Sequence, residues 1–240
     1  MTSRWKFWLI TVAALLSIAV TSALGCWQLS RAAQKEAVQA DIDAKAAMPR
    51  LDGPALGARS DPTSELHRGV SLRGHWMPQW TIFLDNRLMN GKVGLYVMTP
   101  LQLEGGSGVI LVQRGWVARN FVDRASVPTI ETSTALVDIQ GRIAPPPSKL
   151  YELGGPERGL IRQNLDLAHF RAETGLSLPP VVVKQIGMPS EGLLREWPLA
   201  NLGVDKNYGY AFQWFGLSGL IAILYVWFQI VRRFIYPRRA

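Results

Sequence analysis

The chain begins and ends with long uncharged segments, and between them short apolar runs alternate with turn-forming residues. No Asp, Glu, Lys or Arg occurs from Tyr210 to Val231, and the stretch from Phe7 to Gln28 is equally free of charge. A helix needs roughly 20 apolar residues to cross a hydrocarbon core about 30 Å thick. Both segments meet that length, and Tyr and Trp residues lie near their ends, as is typical of membrane interfaces. We therefore predict two transmembrane helices.

Each segment also has an alternative interpretation. The first could be a cleaved signal, either secretory or of the lipoprotein type that is cut before Cys26. Its apolar run is too long for a typical signal core, and the bulky Trp27 follows the cysteine. The last could be a buried helix of a soluble core, but such helices seldom lack a polar face over this length.

The intervening sequence has the pattern of a β-rich domain. Short runs of β-forming residues are bounded by Gly, Pro, Asn and Asp, and consecutive strands with short links favour antiparallel pairing. The predicted strands are 67–74, 80–84, 93–99, 109–117, 135–143 and 181–186. The expected fold is an α+β, predominantly antiparallel β domain, an open barrel or sheet, flanked by the two spans.

Three further features complete the predicted organisation. The helical pattern continues from Trp27 until Pro49, and 48–65 is expected to be irregular. A short helix is expected over Leu165–Thr174, capped by Asn164 and ended by Gly175. The predicted domains are 1–27, with the first span, 28–206, the β-rich body, and 207–240, with the second span.

The charges indicate an orientation in the membrane. The 26 Lys and Arg against 18 Asp and Glu give a formal net charge of +8, but every acidic residue lies between Glu36 and Asp205. The two ends carry only basic residues, which favours cytoplasmic termini and a body on the other side. Because the excess charge belongs to these ends, we do not predict a nucleic-acid surface.

The sequence offers little catalytic chemistry. It contains no phosphate-binding glycine loop and no nucleophile elbow, and its three histidines show no metal-pair spacing, so we predict neither a catalytic nor a metal site. Arg87 and Arg114 fall at neighbouring strand ends and could grip an anion or carboxylate. Alternatively, they pair with Asp85 or with backbone carbonyls at the sheet rim.

Six segments in order resemble the surfeit-locus-one family of cytochrome c oxidase assembly factors, also called Shy-type proteins. The resemblance covers nearly the whole chain. The segments are LGCWQLSRAAQKE (24–36), LDNR (84–87), GLYVMTPL (94–101), VILVQRGWV (109–117), QNLDLAHF (163–170) and YGYAFQWFGL (208–217).

This resemblance implies a membrane-anchored, non-enzymatic chaperone that assists haem a insertion into, or maturation of, subunit I of a haem–copper oxidase. The implied partners are that subunit, haem a synthase and the lipid of a bacterial inner membrane, with the body in the periplasm. The short tail before the first span favours a bacterial cell over a mitochondrion. Two alternatives remain, a direct haem a carrier and a membrane-tethered periplasmic enzyme.

The resemblance also suggests a site at the start of the second span. Many bacterial members have a proposed haem-ligating His where this chain has Asn207, and Asn is not a useful axial ligand for haem iron. The residues then expected to contact haem a transiently are Tyr208, Tyr210 and Trp214. The residues expected to contact a partner are Trp27, Gln28, Phe212, Phe215, Arg87 and Arg114.

Overall fold

In a computed structural model, residues 2–106, 108–122, 126–151, 159–197 and 203–235 are described. The chain divides into two units, one formed by 1–40 with 200–240 and the other by 41–199. The first is a helical unit and the second, called the body here, holds all the described strands. Two helices, over Arg4–Ala47 and Val204–Arg232, are long and apolar enough to cross a membrane.

Helices dominate the first unit. The α1 helix runs without a break over Thr2–Ala47, which confirms that the helical pattern continues well past Trp27. The α4 helix covers Val204–Tyr225 and continues as π-helical turns over Val226–Ile235. No Pro interrupts either segment, so each backbone N–H can find its carbonyl along the helix.

The body contains a seven-stranded mixed sheet. The strands are β1 Gly69–Trp76, β2 Ile82–Met89, β3 Lys92–Leu103, β4 Val109–Ala118, β5 Val137–Ala144, β6 Ile161–Arg162 and β7 Val182–Gln185. Their order is β1-β5-β7-β4-β3-β2-β6. Only the β2–β6 and β4–β7 pairings are parallel, which confirms the predominantly antiparallel character.

The sheet curls, because the last residues of β1 also pair with β3 over three residue pairs. This pairing brings β1, β5, β7, β4 and β3 into a ring, but the seven-stranded sheet as a whole stays open, since β2 and β6 extend beyond β3 to a free edge. Side chains alternate between the two faces of the sheet, so in β1 Val70, Leu72 and Trp76 are buried, while the exposed residues are Ser71, Arg73 and His75. The short α3 helix, Leu167–Thr174, packs Phe170 onto the opposite face of the sheet.

Two strand boundaries differ from the prediction. The β2 strand does not end at Asp85 but runs on to Met89, because a register shift between Leu84 and Arg87 absorbs the extra residue as a bulge. The β3 strand passes through Pro100. On the side of β3 that faces away from β4, pairing with β2 ends at Met98 and pairing with β1 begins at Leu101. Pro100, which lacks a backbone N–H, lies between these two pairings, so no ladder hydrogen bond is lost.

Two local predictions are also wrong. Asp166, not Asn164, caps α3, since its Oδ1 accepts from the backbone N–H groups of Ala168 and His169. Asn164 instead exchanges two hydrogen bonds with the backbone of Leu150. The region 48–65 is not wholly irregular, because it forms the short α2 helix, Gly53–Gly57, and a 3-10 turn over Pro62–Glu65.

Candidate functional site

The candidate site is the pair formed by α1 and α4 in the helical unit. Two hydroxyl contacts join the helices: Ser22 Oγ lies 2.9 Å from Ser218 Oγ, and Thr11 Oγ1 lies 3.0 Å from Tyr225 Oη. Small residues at helical interfaces let backbones approach, and hydroxyl groups can bond across them. The two ends of the chain therefore form one helical pair.

Gly25 is a point of close contact between α1 and α4. A β-carbon placed at Gly25 would lie only 2.7 Å from the ring of Phe215, so this ring rests directly against the α1 backbone. The glycine thus makes room for an aromatic side chain of α4. The contact places Phe215, which the sequence suggested as a partner contact, partly inside the helix pair.

Asn207 is the centre of a polar network near the beginning of α4. Its Nδ2 donates to Gln28 Oε1 at 2.6 Å, and its Oδ1 accepts from Lys35 Nζ at 2.7 Å. Gln28 and Lys35 are seven residues apart, two turns of α1, so they lie on one face of that helix. Asn is suited to this place because its side-chain amide offers a donor and an acceptor together.

Tyr208 makes a second link across the same helix pair. Its hydroxyl donates to Glu36 Oε1 at 2.9 Å. With Asn207 held by Gln28 and Lys35, the polar groups of both residues are engaged in protein contacts. The arrangement at these two positions therefore does not fit axial ligation of haem iron, which requires a free His, Met, Cys or Tyr donor.

The other aromatic residues suggested by the sequence lie at the surface of the helix pair. Trp27, Tyr210 and Phe212 are exposed, with Phe212 at 80%, while Trp214 is partly buried. Their large apolar faces offer contact area to another hydrophobic surface. The proposed roles of Tyr208, Tyr210 and Trp214 in transient haem contact stay predictions.

Arg87 lies in the body and is buried. Its Nη1 donates to the carbonyl of Ser148 at 2.8 Å and its Nη2 to the carbonyl of Gln163 at 2.7 Å. Burial lowers the pKa of Arg87, and the nearby Tyr96 and Asp85 oppose that shift. Asp85 itself pairs with Arg119. Arg87 therefore bonds to backbone carbonyls, which the sequence analysis offered as the alternative to gripping an anion.

Arg114 is the most deeply buried charge in the described body, with an exposure of 0%. Its Nη1 donates to Thr132 Oγ1 at 2.7 Å, and its Nη2 donates to Glu191 Oε2 at 2.7 Å and to the Glu131 carbonyl at 3.1 Å. The guanidinium lies 4.6 Å from the ring of Trp76. It does not share a described contact with Arg87.

The structure adds functional candidates that the sequence reasoning missed. Lys35 and Glu36 belong to the helix network, and Arg195 and Glu191 lie beside Arg114. The seven-residue spacing of Gln28 and Lys35 was a signal for the first set. No local sequence pattern indicated the second set, because Arg114 and Arg195 are far apart in the chain.

Comparisons with known proteins agree on one family. The family model described as "SURF1 family" matches residues 15–219. A SURF1-like protein from Rickettsia felis (strain ATCC VR-1525 / URRWXCal2) is 28% identical over 220 residues, covering 88% of this chain and 93% of that relative. A SURF1-like protein of Drosophila melanogaster is 26% identical over 243 residues, covering 91% and 77%.

A shorter similarity links the chain to a yeast protein with a functional name. The cytochrome oxidase assembly protein SHY1 of Saccharomyces cerevisiae (strain ATCC 204508 / S288c) is 26% identical over 99 residues. These residues make up 41% of this chain and 25% of the yeast protein.

Proposed function

Because this chain belongs to the SURF1 family, we propose that it supports the assembly of a cytochrome oxidase. The finer proposal is a membrane-anchored chaperone that helps subunit I of a haem–copper oxidase to mature, including the insertion of haem a. Its partners would be that subunit and haem a synthase. The similarity to the yeast assembly protein supports the role.

The observation that carries the proposal is the helix pair with its outward-facing aromatic residues. The polar contacts of Asn207, Ser218 and Tyr225 are made between α1 and α4, so they stabilise the pair itself. Trp27 and Phe212 remain exposed on its surface. In a bilayer, such a surface can pack against the apolar helices of a subunit that is being assembled.

We propose an orientation with both termini in the cytoplasm of a bacterial cell and the body in the periplasm. Basic residues beside a membrane span favour the cytoplasmic side, and Arg4 and Lys6 flank the first span as Arg232 and Arg233 flank the second. Reporter fusions near Val112 are expected to be active in the periplasm, and activity in the cytosol instead would contradict this orientation.

Deletion of the gene is expected to lower both the haem a content of the membrane and the activity of the cytochrome oxidase. Both values should fall strongly if subunit I cannot mature without the chaperone. Oxygen consumption and the haem spectrum of isolated membranes measure it. Unchanged values in the deletion strain would reject the proposed role, and the wild-type gene on a plasmid serves as the positive control.

Substitution at position 207 separates assistance from direct haem carriage. Binding is measured as the Soret band of protein-bound haem, which differs in position from the band of free haem. We expect the wild-type protein to give little or no bound-haem band on titration with haem, since Asn207 and Tyr208 are engaged with α1. Asn207→His supplies an imidazole and is expected to strengthen the band, whereas the matched Asn207→Ala gives no gain. No response to His would show that this position is not a ligand site in the protein, and a wild-type band lost in Asn207→Ala would make Asn207 necessary for haem binding.

The enzymatic alternative requires a cleft with titratable groups placed against the substrate. In the body, a cleft of about 270 Å³ has Arg59 as its only titratable lining residue, with Leu103, Ile110 and Leu178 among its apolar neighbours. A single guanidinium does not provide an acid–base pair in this cleft.

A further inference from the structure

Two arginines lie side by side in the body, beneath a tight turn. Arg195 Nε donates to the backbone carbonyl of Arg114 at 2.8 Å, and the side chains of both residues are almost fully buried. Arg195 Nη1 also donates to the carbonyl of Met188 and to Ser190 Oγ. The backbone and hydroxyl contacts fix the position of the second guanidinium beside the first.

One carboxylate serves both guanidiniums among the described residues. Glu191 Oε2 lies 2.7 Å from Arg114 Nη2 and 3.7 Å from Arg195 Nη2. Two buried positive charges therefore face one partly exposed negative charge. Burial lowers the pKa of Arg195, Glu191 opposes that shift and Arg114 adds to it.

Two buried donors in this cluster have no hydrogen-bond acceptor among the residues that the structure describes. These are Arg195 Nη2, which is beyond hydrogen-bond distance of Glu191, and Arg114 Nε. A guanidinium presents its donors in a planar fork that matches both oxygens of a carboxylate. The single oxygen that Glu191 supplies leaves part of that capacity unused, and an unmet buried donor is costly.

Glu191 occupies a backbone position that does not suit it. It lies in the turn Ser190–Leu193, closed by a 2.9 Å bond from Leu193 N to the Ser190 carbonyl, and its φ is +59°. Gly192 follows with φ +76°. Turns with two positive φ values favour Asn and Gly, whereas Glu is strained there. The Glu191 carboxylate therefore contacts the arginines while the backbone of Glu191 is strained.

The place that the Glu191 side chain fills is open to the surface. Its side chain is 26% exposed, whereas Arg114 behind it is 0% exposed. Arg114 is further held by the Trp76 ring at 4.6 Å and by Thr132. A rotation of the Glu191 side chain into water would thus uncover an oriented pair of guanidiniums without moving the sheet.

We propose that Arg114 and Arg195 form a receptor for a carboxylate, and that Glu191 is the internal occupant which an external carboxylate replaces. The external group is the carboxylate of an acidic side chain on a partner protein or of a small molecule. Exchange requires only that Glu191 leaves and another carboxylate enters, so the charge of the cluster is unchanged. This site lies in the body and is independent of the haem role proposed for the helix pair.

Emptying the site tests the proposal. Glu191→Gly removes the internal carboxylate and suits the positive φ, so we expect the full-length variant in detergent to stay folded and to gain a response to acetate. If acetate binds with a Kd of about 10 mM, about 50 mM should raise the Tm of the variant by about 2–4 °C relative to chloride at equal ionic strength. The wild-type protein should respond less, because Glu191 competes.

Two further variants test whether the response to acetate depends on the vacated position of Glu191 and on Arg195. Glu191→Gln keeps the side-chain length and is expected to show a smaller rise with acetate than Glu191→Gly. In Glu191→Gly combined with Arg195→Gln, the rise should disappear. A response that survives loss of Arg195, or the same response in wild-type protein and Glu191→Gly, would overturn the proposal.

Comparison of two carboxylate sources completes the experiment. A tetra-glutamate peptide with blocked termini is compared with acetate at equal carboxylate concentration, with tetra-glutamine as the uncharged control. A larger rise in Tm with the glutamate peptide supports a protein partner, and an equal rise supports a small carboxylate. A rise with tetra-glutamine equal to that with tetra-glutamate would contradict carboxylate recognition.

Discussion

Gly94→Ala is expected to destabilise the body severely. A β-carbon at Gly94 would overlap the backbone carbonyl oxygen of Val117 and the ring of Trp116. The Trp116 indole cannot simply move away, because it is buried and its Nε1 donates to the Arg87 carbonyl at 2.8 Å. Overpacking and a broken buried hydrogen bond together cost about 2–5 kcal/mol. The free energy of unfolding, or the Tm of the full-length protein in detergent, measures the loss.

Gly53→Ala is the matched control for that experiment. The new β-carbon at Gly53 would meet only the side chain of Leu103, at 3.7–3.9 Å, which is ordinary van der Waals contact. Gly53 begins the α2 helix with no positive φ, so alanine is compatible with its backbone. We expect a change within about 1 kcal/mol, with a small gain from reduced unfolded-state entropy. Equal loss in both variants would show that close packing at Gly94 is not the cause.

Arg114→Met is expected to cost about 3–5 kcal/mol, because three acceptors lose the donors of a fully buried guanidinium. The substitution keeps an unbranched apolar chain beside Trp76 but removes the donors to Glu191, Thr132 and the Glu131 carbonyl. Arg195 then keeps Glu191 at a distance of 3.7 Å as its remaining carboxylate. The denaturation midpoint of the full-length protein and its level in membranes measure the effect.

Arg73→Met is the matched control on the same sheet. The side chain of Arg73 is 57% exposed, and its Nε lies 3.5 Å from Glu104 and 3.7 Å from Asp138. Exposed pairs of this kind contribute about 0–1 kcal/mol. A loss for Arg73→Met as large as that for Arg114→Met would mean that burial of the network does not decide its contribution.

Local sequence patterns predicted most of the secondary structure. The uncharged runs define α1 and α4, and alternation between apolar and polar residues identifies β1 through its buried Val70 and Leu72. Gly175 ends α3, as predicted, with a φ of +70°. These features depend on residues within one or two turns of each other. Short-range sterics and hydrogen bonding are therefore sufficient to specify them.

Predictions failed where a distant partner changed a local preference. Asn164 is a good helix cap by type, but the backbone of Leu150 occupies its side chain, and Asp166 caps the helix instead. Pro100 ordinarily ends a strand, but the change of partner from β2 to β1 leaves its place without a required donor. In both cases the sequence contains the signal, and the competing contact comes from another part of the chain.

The candidate site likewise combines features that the sequence predicts with contacts that depend on the tertiary structure. The amino-acid sequence determined that two long apolar helices flank a β-rich body, and its resemblance to the family marked Asn207 as the position of a proposed haem-ligating His. Only the tertiary structure decided that Asn207 bonds to Gln28 and Lys35, and that Arg114 adjoins Arg195 and not Arg87. The physical reason is that helix pairing and the return of the chain after β7 bring together residues about 80 to 180 positions apart. Local propensities fix each element, whereas the packing between elements selects the partners of its polar side chains.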